Sequence, residues 1–96
     1  MRQVSFKIDG QFRSALGIVE DHTGQTQFIG FDQNTASVPV TGGGLAWFTF
    51  AATGDPGTSV TIKTTGQTGN QACPDHEYKF PLRGKFAWPF QFNPEA

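Results

Sequence analysis

Apolar and polar residues alternate along much of this chain. Val4, Phe6 and Ile8 are interleaved with Ser5 and Lys7, and Val60 and Ile62 with Ser59, Thr61 and Lys63. Tyr78, Phe80 and Leu82 repeat the pattern against Glu77, Lys79 and Arg83. A period of two gathers the apolar side chains on one face of an extended strand, as in a half-buried antiparallel sheet. Gly, Pro and Thr recur too often for any long stripe of helical period, so helices are not expected. The pattern predicts strands near residues 2–8, 11–19, 27–31, 36–41, 45–52, 58–64, 76–83 and 86–92.

The segments between these strands have their own chemistry. In GDPG (54–57), Pro56 holds φ near about −65° and Gly57 accepts the positive φ of a type II turn. IDGQF (8–12) reads as a hairpin. A three-residue loop Ile8-Asp9-Gly10, with Gly10 left-handed, would set Phe6 opposite Phe12, whereas a two-residue loop would set it opposite Arg13. The longer loop is expected, because it also places Leu16 and Ile18 on the face of Val4 and Phe6.

Length and composition sharpen this picture. A chain of 96 residues makes one domain, and a domain that small buries only about 60–65% of its unfolded surface. Ten phenylalanines meet the resulting need for large core side chains, since each ring buries about 150–250 Å². The expected fold is an all-β antiparallel sandwich or barrel of about eight strands. Its halves show a similarity at an offset of 42: TGQT occurs at 23–26 and at 65–68, and Phe6, Phe48 and Phe90 are spaced alike. VPVTGGGLAWFTF (38–50) overlays FPLRGKFAWPFQF (80–92) when one Gly is skipped and Pro89 is taken as an inserted, bulged residue. Two such units make a sandwich or barrel in one chain, or blades of a ring that needs several chains.

Charge narrows the choice of partners. The net charge is −1 and charged residues are 16% of the chain, so no basic field is present to hold nucleic acid or an anionic membrane. The longest apolar run, LAWFTFAA, is far below the ~20 residues of a membrane span. One cysteine forms no internal disulfide, and MRQVSFKIDG lacks a leader's apolar core. Cytoplasm is the default expectation.

Candidate chemistry concentrates in ACPDHEYKF (72–80). Cys73, Asp75, His76 and Glu77 lie together, and His22 would complete a thiolate and two imidazoles, the trigonal set of a copper site. A copper site of that kind adds an axial Met, and the only Met is Met1. A zinc site is signalled by two close ligand pairs, and only one is present. A Cys–His catalytic pair is normally assembled across a fold with a third orienting group, not three residues apart. The stretch is therefore read as a polar loop, with no metal, cofactor or catalytic residue expected.

Trp47 and Trp88 are the other candidates. An exposed indole stacks on the apolar face of a sugar ring, and loop residues Asp32, Asn34, Gln67 and Asn70 offer hydrogen bonds to its hydroxyls. A core position is the alternative for each Trp. It is the stronger alternative for Trp88, which shares a face with Phe86, Phe90 and Phe92 unless Pro89 bulges. Trp47 lies opposite Phe48 and Phe50, so that strand carries large apolar groups on both faces. The expected function is a non-catalytic binding module for a glycan or small polar ligand. The alternative is a homo-oligomeric structural or protein-interaction domain that buries its extra aromatic surface between copies.

Overall fold

The alternating pattern resolves into eight antiparallel strands in a computed structural model that describes residues 2–96. They are β1 (Arg2–Gly10), β2 (Ser14–Glu20), β3 (Thr26–Gly30), β4 (Thr35–Val40), β5 (Ala46–Thr53), β6 (Ser59–Thr65), β7 (Gln71–Lys79) and β8 (Lys85–Phe92). Two four-stranded sheets form, in the orders β4-β1-β6-β7 and β3-β2-β5-β8. Of the two expected architectures this is the sandwich, whose sheets bury their inward faces against each other.

Phenylalanines fill the space between the sheets. Phe6 of β1 stacks on Phe48 of β5 with ring centroids 4.2 Å apart, and Phe48 meets Phe90 of β8 at 5.3 Å. The three residues spaced alike in sequence are thus neighbours in the core. Phe50 and Phe92 extend the same cluster, and Phe6, Phe48, Phe50 and Phe92 are all fully buried. Room for the Phe48 ring comes from Gly17 on the adjacent strand, where a Cβ would lie 2.6 Å from that ring.

The halves of the chain trace related paths. Advancing each strand of the first sheet by four, round the eight, turns β4-β1-β6-β7 into β8-β5-β2-β3, the order of the second. The β2–β3 and β6–β7 hairpins also close alike. In one, Asp21 N–H donates to Gln25 and Gly24 N–H to Asp21. In the other, Gly66 N–H donates to Asn70 and Gly69 N–H to Gly66. Each is a three-residue loop with its Gly at positive φ. This correspondence pairs Gly24 with Gly69, so it is out of step with the TGQT match, which pairs Thr23 with Thr65.

The expected hairpin between the first two strands does not form. β1 pairs with β4 and β6, β2 pairs with β3 and β5, and the chain crosses from one sheet to the other between them. Phe6 lies opposite Ala36 and Thr64, not Phe12. Gly10 does have positive φ, +121°, but it serves the crossing. The face of β2 also differs from expectation: Gly17 and Val19 point inward, while Leu16 is 49% exposed on the outer side. A side chain at Gly17 would collide with the Phe48 ring of β5.

Two further expectations change. Residues 71–79 are strand β7, not a polar loop, and Leu82, expected on the inward face, lies beyond it and is 95% exposed. Proline and polar residues are tolerated there because β7 is an edge strand that pairs only with β6. Pro89 is not a bulge either. The β5–β8 ladder runs without a shift from Ala46↔Phe92 to Thr53↔Lys85, with Pro89 opposite Thr49. Irregularity occurs instead in the β6–β7 ladder, around Thr64 and Cys73. The GDPG turn behaves as expected, with Thr58 N–H donating to Asp55 C=O and Gly57 at φ +85°.

Candidate functional site

The shifted ladder of β6 and β7 turns Cys73 inward. Its Sγ lies 2.8 Å from the hydroxyl of Thr64, itself buried. Burial pushes the Cys73 thiol above its ordinary range, against the opposing effect of the Thr64 hydrogen bond, and the charge of Asp75 adds to the rise. His76 stacks on Phe90 at 4.2 Å and lies parallel to Tyr78. Burial among aromatic rings pushes the Tyr78 phenol up to about 12, and the Cys73 thiolate adds to this. The Tyr78 hydroxyl is buried without a hydrogen-bond partner among the described residues.

His22 belongs to a different place, the β2–β3 loop, where its Nε2 is 2.9 Å from the Gly42 carbonyl. Asp21 beside it organises that loop. The Thr23 hydroxyl and the amides of Gln25 and Thr23 hydrogen-bond to its carboxylate, and they hold it below the usual carboxylate range. Among the described residues no three His, Cys, Asp or Glu side chains converge as a metal site would require.

A buried thiol held protonated is a poor nucleophile. Alkylation of Cys73 at neutral pH is expected to be at least about tenfold slower in the folded protein than in denaturant, since reaction has to await local opening. Equal rates by mass spectrometry would show that the thiol is open to solvent.

The six residues singled out as ligand contacts are not brought to one place. Asp32 and Asn34 lie in the tight turn between β3 and β4, where Gln33 and Asn34 both have positive φ and Asp32 pairs with Thr35. Gln67 and Asn70 lie in the β6–β7 loop at the opposite end of the sandwich, where Arg2 donates to Gln67 Oε1. Trp88 stands at the rim between the sheets, 54% exposed, against Tyr78 at 5.8 Å. Trp47 is 44% exposed on the outward side of β5, the face away from the core.

Trp47 belongs to a surface that no single motif reveals. Across the second sheet, register places Gly30, Leu16, Ala51 and Ala87 in one outward row, and Phe28, Ile18, Thr49 and Pro89 in the next. A third row holds Thr26, Glu20, Trp47 and Gln91. Phe28 is 81% exposed. At one end of this face the small side chains of Ala51 and Ala87 beside Leu16 leave a groove of about 470 Å³. The first sheet is the opposite case: its outward face presents Gln3, Ser5, Lys7, Ser37, Thr61 and Lys63. Ser37 there hydrogen-bonds to Gln3 and Ser5. The first outer face is polar throughout, whereas the second carries an apolar band between the row of Thr26, Glu20 and Gln91 and a row of Ser14, Thr53 and Lys85.

The sequence signal for this surface was a loss of alternation. SALGIVE, AWFTFAA and FAWPFQF carry apolar residues at both parities, and a strand buried on both sides reads in that way. No family model, curated protein or solved structure gives a significant match to the chain. None of the described residues forms a helix long and apolar enough to cross a membrane.

Proposed function

We propose that this chain is a non-catalytic interaction domain that associates with copies of itself through the outward face of its second sheet. The observation that carries the reading is the contrast between the two outer faces. Four strands about 4.8 Å apart, each contributing about seven residues, make a face of roughly 400 Å². Its apolar part is the band of Leu16, Ile18, Phe28, Trp47, Ala51 and Pro89, and the largest apolar patch on a protein surface is often a functional one.

Light scattering coupled to size exclusion, run over a range of concentrations, tests this. The native chain is expected to show a mass above that of one chain, 10.4 kDa. Trp47→Ala is expected to weaken association roughly 30-fold, the effect of losing an interface anchor of about 2 kcal/mol. A monomer at all concentrations would reject the proposal.

A second reading has its own observation. Trp47 shares a depression of about 390 Å³ with Glu20, Thr49 and Pro89, and Gln91 stands opposite it in the ladder. An open indole flanked by a carboxylate and an amide is the chemistry that holds a sugar ring. On this reading sugars change the emission of Trp47, and Trp47→Ala abolishes that response while leaving the mass unchanged.

A further inference from the structure

The four open edges of the sandwich are of two kinds. β4, β7 and β8 each contain a proline, Pro39, Pro74 and Pro89. Proline offers no N–H to an added strand, and it is a common device for blunting sheet edges. β3, TQFIG, is the fourth edge and contains neither proline nor charge. Its backbone groups can be assigned from the ladder. Asp21 N–H donates to Gln25 C=O, and hydrogen-bonded pairs alternate along an antiparallel pair, so Gln27 and Ile29 bond to β2. The N–H and C=O groups of Thr26, Phe28 and Gly30 therefore face the open side.

We infer that a second copy adds its own β3 to this edge in antiparallel register, with a two-fold axis normal to the sheet at Phe28. Thr26 then pairs with the partner's Gly30 and Phe28 with the partner's Phe28. A five-residue strand centred on Phe28 is complementary to itself in this register, and a two-fold axis requires such an isologous contact. Each Phe28 ring, 81% exposed in the single chain, is covered by its counterpart. The area of the outer face points the same way. Two single faces packed together would bury roughly 400 Å² each, about half of what a standard stable interface takes. A second contact has to add to it, and among the described residues β3 is the one edge strand without a proline. Pairing there also joins two outward faces, on one side, into a single platform twice as wide. The inference rests on the self-association proposed above and specifies how copies join.

Amide hydrogen exchange followed by NMR at low and high protein concentration tests it, together with two double variants. The amides of Thr26, Phe28 and Gly30 are expected to slow by at least about tenfold as concentration rises. Thr26→Lys with Gly30→Lys sets like charges across the new ladder and is expected to weaken association. Thr26→Lys with Gly30→Glu sets opposite charges there and is expected to retain it. Both variants should fold, because a Cβ at Gly30 meets nothing within 4 Å. An oligomer in which these three amides exchange at unchanged rates overturns edge pairing and leaves the outer-face reading standing. Equal association by the two variants overturns it as well. A monomer at every concentration overturns both.

Discussion

Phe48→Ala is expected to cost about 3–5 kcal/mol, the range for emptying a buried aromatic position. A chain of this length has a total stability of about 5–15 kcal/mol, so the variant should be unfolded or nearly so at the low end. The melting temperature should fall by more than about 12 °C. Phe48 stands at the centre of the core: it stacks on Phe6 and Phe50 and also touches Phe31 and Phe90. Gly17 presses against the ring from the next strand, and three neighbouring strands would have to close together to fill the void. Leu82→Ala is the matched control. Its side chain is 95% exposed, and its loss should change stability by no more than about 0.5 kcal/mol. Similar melting curves for the two variants would place the core elsewhere.

The strands were legible because alternation is a local property of the chain. β1 and β6 have inward residues that differ sharply from their outward ones, and each formed close to where period two predicted it. Sheet membership is not local. A hairpin and a crossing between sheets both need the chain to turn away at about Gly10, and Gly10 suits either, so its positive φ was foreseen while the pairing was not. In β2 the apolar residues occupy both parities. Leu16 and Ile18 are the larger, but Gly17 goes inside because the Phe48 ring needs the space. Volume complementarity between strands leaves no trace in a periodic pattern.

The site was harder to read for related reasons. β7 looks like a loop because an edge strand with one free side tolerates Pro74 and Asp75. Asp32, Asn34, Gln67 and Asn70 are all loop residues, and only the topology sends them to opposite ends of the sandwich. The outward position of Trp47 did follow from its place beside Phe48. The apolar face around it needed the register of four strands, which brings Leu16, Ile18 and Phe28 into rows with residues of β5 and β8.

Gly10→Ala is expected to produce the second large loss, for a reason unrelated to the core. At φ +121° an L side chain is strained, at a cost of about 1–3 kcal/mol. The added Cβ also has no space. It would fall on the carbonyl oxygen of Ser59 and lie 3.0 Å from the Cα of Val60, both backbone atoms of the strand that β1 pairs with. Val60 is the ladder partner of Gly10, and Gln11 N–H donates to the same Ser59 carbonyl. Moving aside would therefore open the last pair of the β1–β6 ladder where the chain leaves for the second sheet. Overpacking of this kind adds typically about 1–3 kcal/mol. Gly24→Ala separates the two contributions, since Gly24 has φ +91° but open space around its Cβ position. It should lose only the conformational part, and Gly10→Ala should melt at least about 4 °C below it. Should the two variants melt together, the close approach of β1 to Ser59 would not be a determinant of the crossing.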